Sequence, residues 1–385
     1  MERARILILT ASIGSGHTRA AEALRAAFAA HPRAHEMQVD VVDFMAREVS
    51  LIHYLMKRIY LTMLRFVPDL YDVFFRIAGR KESGGFVRGA FAQVMVRTMG
   101  RIVRIHAPDL IIATHPFPEG AAALWRARHG ASYALAALLT DYALHAIWLV
   151  RSVDQYFVAT AEMATEMAAR GFDPHTVRAT GIPIARADYA LERASAQEQA
   201  GLCGDLPTVL LMGGGLGIGG MERTLAALET LERRLAVLVV AGRNDALAAH
   251  ARTMAQISRH EIRVFAYTDS IPVLMRAADL LITKPGGLTL SEAFAAGLPL
   301  LLHDPIPGPE TENAIYATQH GAAVWLHPGE RMAPAVEKIL AHRVAEMRRA
   351  AHDCARENAA ADVVDILTEM LTRKRGHTDG TEKDA

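Results

Sequence analysis

Two glycine-bordered turns hold the residues of this 385-residue chain best suited to chemistry. The later turn lies in TKPGGLTLSEAFAAGLPLLLHDPIPGPETEN, Thr283 to Asn313. An apolar strand, Asp279 to Ile282, runs into Pro285, Gly286 and Gly287, and a helix is expected from Thr289 to a stop at Gly297. The free N–H groups at such a helix start suit an anion such as a phosphate. Lys284 adds charge beside that anion or pairs on the surface. Glu292 is placed to accept hydrogen bonds from a ribose next to the phosphate. A second apolar strand, Leu298 to Leu302, leads into a Pro/Gly-rich loop with Asp304, Glu310, Glu312 and Asn313. The pattern predicts a nucleotide grip.

The earlier turn is ASIGSGHTRA, with Gly14, Gly16 and His17 between a strand and a helix. It has the strand–glycine loop–helix form of a phosphate site, but it is neither G-x-G-x-x-G nor a P-loop, because no Lys-Ser/Thr follows. His17 at the helix mouth can act as a base, as a hydrogen-bond donor or as a plain helix cap. His115 follows the strand Asp109 to Ala113, and Asp141 and His145 follow the strand Ala134 to Thr140. Polar residues just past strand ends are where doubly wound sheets bind ligands. A third turn, GGGLGIGG, carries Gly213, Gly214, Gly215 and Gly217 after the strand Thr208 to Met212.

The elements that must position these residues form a repeating pattern. Short apolar strands at Arg5–Leu9, Val39–Asp43, Asp109–Ala113, Ala134–Thr140 and Gln155–Ala159 alternate with helices. The pattern restarts at Thr208–Met212, Leu235–Ala241 and Ile262–Tyr267. The expected class is α/β, with two Rossmann-like domains of mostly parallel strands facing a cleft. The first would span residues 1–184 and the second 205–345, joined by a linker at 185–204. Helices over 346–374 would end the fold, packing back on the first domain, and 375–385 reads as a disordered tail.

One segment stands apart. In LIHYLMKRIYLTMLRFVPDLYDVFFRIAGR, Leu51 to Arg80, Ile52, Leu55, Met56, Ile59, Met63 and Phe66 recur at helical spacing. Lys57, Arg58, Arg65, Phe74, Phe75 and Arg76 add cations and aromatics with few acids. The segment is either a helix buried between layers or a surface that dips into an anionic membrane.

Composition limits the rest. With 51% hydrophobic and 22% charged residues the chain can bury a sizeable core. Its 42 basic and 42 acidic residues cancel, which argues against a nucleic-acid partner. Cys203 and Cys354 fit no metal spacing or disulfide framework. The start of the sequence has no signal-peptide pattern, and no apolar run approaches the roughly 18 residues of a membrane span. A cytoplasmic protein is expected.

These motifs, taken in order, resemble glycosyltransferase family 28 with its GT-B fold. Within it they resemble the group of monogalactosyldiacylglycerol synthases and bacterial processive diacylglycerol glucosyltransferases. LILTASIGSGHTRAAEAL is similar to the family's acceptor-side motif, THPF and TDYALHAIW to its central ones, and TKPGG…SEA…GLP…PGPETEN to its nucleotide-sugar site. The resemblance covers about residues 5 to 345. It implies that Gly213, Gly214, Gly215 and Gly217 lie near a diphosphate, that Gly286, Gly287, Leu288 and Thr289 bring backbone N–H groups to it, that Glu292 holds the ribose, and that Glu310 and Asn313 sit at the sugar hydroxyls and the cleft wall. It places His17, Asp141, His115 and His145, with Gly14 and Gly16, on the acceptor side, His17 or Asp141 being the base. Where the family often reads GQE, this chain has Gly308-Pro309-Glu310, which leaves the hexose open.

The implied reaction is transfer of glucose or galactose from UDP-glucose or UDP-galactose to diacylglycerol or a related lipid. No cofactor and no metal would be needed. A protein acting on that lipid would be peripherally associated with the inner face of the cell membrane, which favours membrane contact for Leu51 to Arg80. A MurG-like lipid-linked acceptor, a UDP-sugar epimerase and a nucleotide-sugar sensor remain as alternatives.

Overall fold

The computed structural model describes residues 3–66, 81–186, 189, 191–202, 205–213, 220–306 and 308–381. The chain forms two compact units, Met1–Ala185 with Glu357–Ala385, and Arg186–Arg356.

The first unit holds β1 (Ala4–Thr10), β2 (Met37–Asp43), β3 (Leu110–Ala113), β4 (Ala134–Leu138), β5 (Gln155–Val158) and β6 (Val177–Ala179). Their order in one sheet is β2-β1-β3-β4-β5-β6, and every pairing is parallel. Every residue of β3, β4 and β5 is buried, which accounts for their continuous apolar sequences such as ALAAL. Helices α1 (Gly16–Ala30), α2 (Leu51–Phe66), α3 (Lys81–His106), α4 (Pro116–His129) and α5 (Ala161–Ala169) complete this part. Thr160 caps α5 as its position in the sequence suggests, accepting the Met163 N–H at 3.3 Å. Helices α3 and α4 approach closely because Gly100 lies under Trp125. A Cβ there would come within 2.2 Å of the indole ring.

The second unit runs α6 (Arg193–Gln199), β7 (Thr208–Met212), α7 (Met221–Leu228), β8 (Ala236–Gly242), α8 (Asp245–Ile257), β9 (Glu261–Ala266) and α9 (Ile271–Ala277). It continues with β10 (Leu280–Thr283), α10 (Gly287–Ala295), β11 (Leu300–Leu302), α11 (Pro309–Gln319), β12 (Ala323–Trp325), α12 (Met332–His342) and α13 (Val344–Cys354). The sheet order is β12-β11-β10-β7-β8-β9, again all parallel. Val209, Leu211, Val237, Val239 and Ile282 from the strands pack with Leu225, Leu228, Val336 and Ile339 from the helices in one core. Burying each such side chain is worth roughly 1.5–3 kcal/mol.

The last helix, α14 (Ala359–Thr381), belongs to the first unit, where Arg33 donates to Thr372 Oγ1 at 2.9 Å and Lys374 to the Ser132 carbonyl. The return to the first unit falls after Arg356, so α13 stays with the second unit. The expected tail at 375–385 is helical as far as Thr381. The expected linker contains α6, which is fixed to the second unit by the Arg193–Asp279 ion pair.

Both sheets reverse their winding once. In the first the order turns between β1 and β3, in the second between β7 and β10. Loops leaving the carboxyl ends of those strand pairs diverge and leave a crevice, the usual ligand site of open α/β sheets. The turn with His17 leaves β1 and His115 follows β3, while Gly213 follows β7 and the PGG turn follows β10.

Candidate functional site

In the first unit the connection from β1 to α1 passes through Gly14, whose φ of +85° is a conformation that favours glycine. The connection delivers His17 onto the ends of β3 and β4. Its Nδ1 lies 2.8 Å from the Thr114 carbonyl oxygen and 2.8 Å from Thr140 Oγ1. A carbonyl only accepts, so Nδ1 carries the hydrogen and the lone pair is on Nε2. Thr114 Oγ1 donates back to the His17 carbonyl at 3.1 Å, locking the backbone as well as the ring. Burial holds the His17 pKa below its ordinary value of 6.5, while the Asp141 carboxylate and the Thr114 hydrogen bond pull it back up. His17 is therefore neither a plain helix cap nor a permanent cation. It is a neutral imidazole with a fixed tautomer.

His115 meets the His17 ring edge-on, with centroids 4.7 Å apart and planes at 77°. It caps α4, and its Nδ1 accepts the Phe117 N–H at 3.1 Å, which puts its own hydrogen on Nε2. Burial, and secondly the neighbouring His17, hold its pKa well below 6.5. His145 caps the single turn Ala146–Trp148 by accepting the Ile147 N–H at 3.4 Å. The far end of that loop is tied by Tyr156. Its hydroxyl lies 3.0 Å from buried Glu119 and 2.8 Å from the Trp148 carbonyl, and it accepts the Val150 N–H at 2.8 Å. So the structure brings His17, His115 and Asp141 together and gives His145 a loop-shaping contact.

Helix α2 lies beside this site with its apolar side outward. Leu51, Ile52, Leu55 and Ile59 are 56%, 61%, 51% and 69% exposed, and Arg58 is exposed with them. The described residues of α2 are thus not buried between layers on that side. His53 is buried on the other side, its ring Nδ1–H donating to the Phe44 carbonyl at 3.0 Å. Lys57 departs from its expected place on the lipid-facing surface: its Nζ donates to Ser12 Oγ at 2.6 Å, in the turn that leads to His17. Arg65 and Phe66 end α2 with side chains outside the described residues, and Phe74, Phe75 and Arg76 lie outside them altogether. Among the described residues no helix is long and apolar enough to cross a membrane.

In the second unit the helix of the PGG turn begins two residues earlier than expected, at Gly287, because Gly286 already holds the extended capping conformation. Ser291 Oγ donates to the Gly287 carbonyl at 2.9 Å, and Glu292 is 2% exposed. Asn313, wholly buried, donates to the Pro285 carbonyl at 3.0 Å. That contact shapes the turn. Glu310 accepts the Ile306 N–H at 2.7 Å and so closes the loop before α11. Pro309 occupies the first turn of α11, where its missing N–H costs nothing. Gly213 follows β7, whereas Gly214, Gly215 and Gly217 lie outside the described residues.

Sequence reasoning missed several neighbours. Thr114 and Thr140 hold His17, and Ser12 receives Lys57. His303, at the end of β11, lies 3.4 Å from Asp304, which pairs with Arg223 at 3.5 Å. Burial lowers the His303 pKa, with Asp304 opposing and the charges of Lys284 and Arg223 adding to the effect. The threonines sit inside THPF and TDY, but a strand-end hydroxyl is too common a feature to signal a role. Among the described residues no group of three or more His, Cys, Asp or Glu is placed to hold a metal ion.

Comparison with known proteins covers nearly the whole chain. Residues 17–184 match the family model described as monogalactosyldiacylglycerol (MGDG) synthase, and residues 208–368 match the glycosyltransferase family 28 C-terminal domain. A processive diacylglycerol beta-glucosyltransferase of Bacillus cytotoxicus is 32% identical over 377 residues, 97% of this chain and 95% of the relative. Among solved structures, Acinetobacter baumannii MurG superposes with a TM-score of 0.61 at 18% identity, covering 95% of this chain and 99% of MurG. S. aureus MnaA, solved with UDP, gives 0.63 at 12% identity, with 97% of each chain covered. At these identities the two structures speak for the fold alone.

Proposed function

We propose that this chain, which belongs to glycosyltransferase family 28 in the group of monogalactosyldiacylglycerol synthases and processive diacylglycerol glucosyltransferases, moves a hexose from a UDP-sugar to diacylglycerol or a close relative. The hexose is glucose or galactose, and the name of the Bacillus relative favours glucose. The observation that carries the reading lies within one unit: a neutral histidine at a sheet's switch point, and beside it a helix with an exposed apolar ridge, both tied to the same turn. A base is what an alcohol acceptor needs, and an apolar ridge is what a lipid acceptor's surroundings need.

In this mechanism the acceptor hydroxyl donates to His17 Nε2. As its oxygen bonds to the sugar's anomeric carbon, the bond from that carbon to the UDP oxygen breaks through an oxocarbenium-like state. The proton passes to Nε2, and the resulting imidazolium is stabilised by the Asp141 carboxylate, whose charge already raises the His17 pKa. The leaving diphosphate takes its negative charge to the N–H groups at the start of α10 and to Lys284, an anion site made of oriented backbone dipoles that calls for no metal or cofactor. Glu292 accepts from the ribose hydroxyls. The enzyme works from the cytoplasmic side as a peripheral protein of the cell membrane.

The test is to incubate the protein with anionic vesicles containing diacylglycerol and with radiolabelled UDP-glucose or UDP-galactose. Label in the lipid phase with at least one donor is expected. No lipid-phase label with either donor overturns the proposal.

A further inference from the structure

Lys57 faces away from the surface that its sequence neighbours suggest for it. At about 100° per residue around a helix, His53 and Lys57 lie about 40° apart on one side of α2, and Leu51, Ile52, Leu55 and Ile59 are centred on the opposite side. The inner side is fixed at two points. His53 donates to the Phe44 carbonyl at 3.0 Å, with its ring tilted against Phe44 at a 4.7 Å centroid distance. Lys57 donates to Ser12 Oγ at 2.6 Å, a charge-assisted bond, and its Nζ lies 5.5 Å from the centre of the Tyr54 ring.

Ser12 is a junction. Its N–H donates to Asp43 Oδ1 at 3.0 Å, and the same oxygen accepts the Met45 N–H at 3.0 Å. The end of β2, the chain leading into α2, and the turn after β1 are thus joined through Ser12, Asp43 and Lys57. Five residues on, the same turn delivers His17. Removing the ammonium would release the turn on one side while leaving the outer ridge unchanged.

We infer that Lys57 is a positioning residue: it holds the β1–α1 turn through Ser12 and thereby sets His17 against the acceptor hydroxyl, and it takes no part in lipid contact. The inference rests on the proposed transfer reaction. Displacement of a catalytic group by a fraction of an ångström lowers the chemical step more than binding, so the effect belongs in kcat.

The experiment compares wild type with Lys57→Met, Lys57→Arg, Ser12→Ala and the Ser12→Ala/Lys57→Met double variant. Each is assayed for hexose transfer to diacylglycerol in anionic vesicles, for co-sedimentation with those vesicles and for UDP affinity. Lys57→Met should lower kcat about ten- to a hundredfold, with KM, sedimentation and UDP affinity close to wild type. Lys57→Arg should recover most of the rate. Ser12→Ala should reproduce the loss, and the double variant should lose no more than either single one, the mark of two residues acting through one contact. Lost sedimentation with full kcat for the bound enzyme would make Lys57 a lipid-facing cation. Independent, multiplying losses, or none, would also overturn the inference while leaving the transfer reaction intact. A wild-type protein inert toward diacylglycerol would overturn the proposed acceptor, and this inference with it.

Discussion

The turn after β1 and the turn after β10 occupy the same kind of place, the switch point of a six-stranded parallel sheet, but they are furnished in opposite ways. Around β1 the polar groups are side chains: His17, Thr114, Thr140, His115 and Asp141. Their hydrogen bonds fix the tautomers, and burial lowers the pKa of both imidazoles. Around β10 side chains hold the backbone in shape: Asn313 on Pro285, Glu310 on Ile306, Ser291 on Gly287. Under the proposed reaction the first would be the proton site and the second the anion site. A glycosyl transfer asks for both.

The sharpest way to break this comparison is His17→Ala. Loss of a general base costs about 10²–10⁴-fold, so kcat for transfer should fall within that range in a steady-state assay. Asp141→Asn separates the two candidate bases. If His17 is the base, activity falls much less than in His17→Ala and the pH profile moves. His17 must be neutral to accept a proton, and its pKa is lowered by burial, so the acid limb of kcat/KM for wild type should have its midpoint below 6.5. Removing the Asp141 charge, which raises that pKa, should move the limb to still lower pH. Abolished activity would make Asp141 the base.

On the donor side, Glu292→Gln keeps the buried shape but weakens the acceptor offered to a ribose. UDP affinity by calorimetry should drop about tenfold, the equivalent of roughly 1.4 kcal/mol, with little further change in kcat. For the outer ridge of α2, the Leu55→Ser/Ile59→Ser double variant should sediment with anionic vesicles about tenfold less well, while its UDP affinity is unchanged. The smallest effect is expected from Pro309→Gln, which installs the amide of the GQE pattern that the family resemblance leads one to expect. The ratio of UDP-glucose to UDP-galactose use should shift by less than about tenfold, because a single polar contact discriminates weakly at an open site.

Much of this was legible in the sequence. Buried parallel strands write themselves as runs such as LIIA and TVLLM, and a histidine directly after GSG is conspicuous because helix mouths at strand ends are where ligands bind. The partners of that histidine were not legible. Thr114 and Thr140 lie 97 and 123 residues away and become neighbours only because β3 and β4 follow β1 in the sheet. Lys57 shows a second limit: periodicity divides a helix into faces but does not say which face looks outward. On α2 the apolar ridge is exposed and the lysine points in, the reverse of what charge and hydropathy suggest. Asn313 shows a third, since an amide within a ligand motif can serve the turn itself.

The most direct test of this division of labour uses the His17→Ala protein once more, with UDP affinity measured by calorimetry beside the rate of hexose transfer to diacylglycerol in vesicles. The predicted result is a UDP affinity equal to that of wild type with transfer reduced at least about a hundredfold. A UDP affinity that falls in step with transfer would contradict it, because His17 would then belong to the donor site.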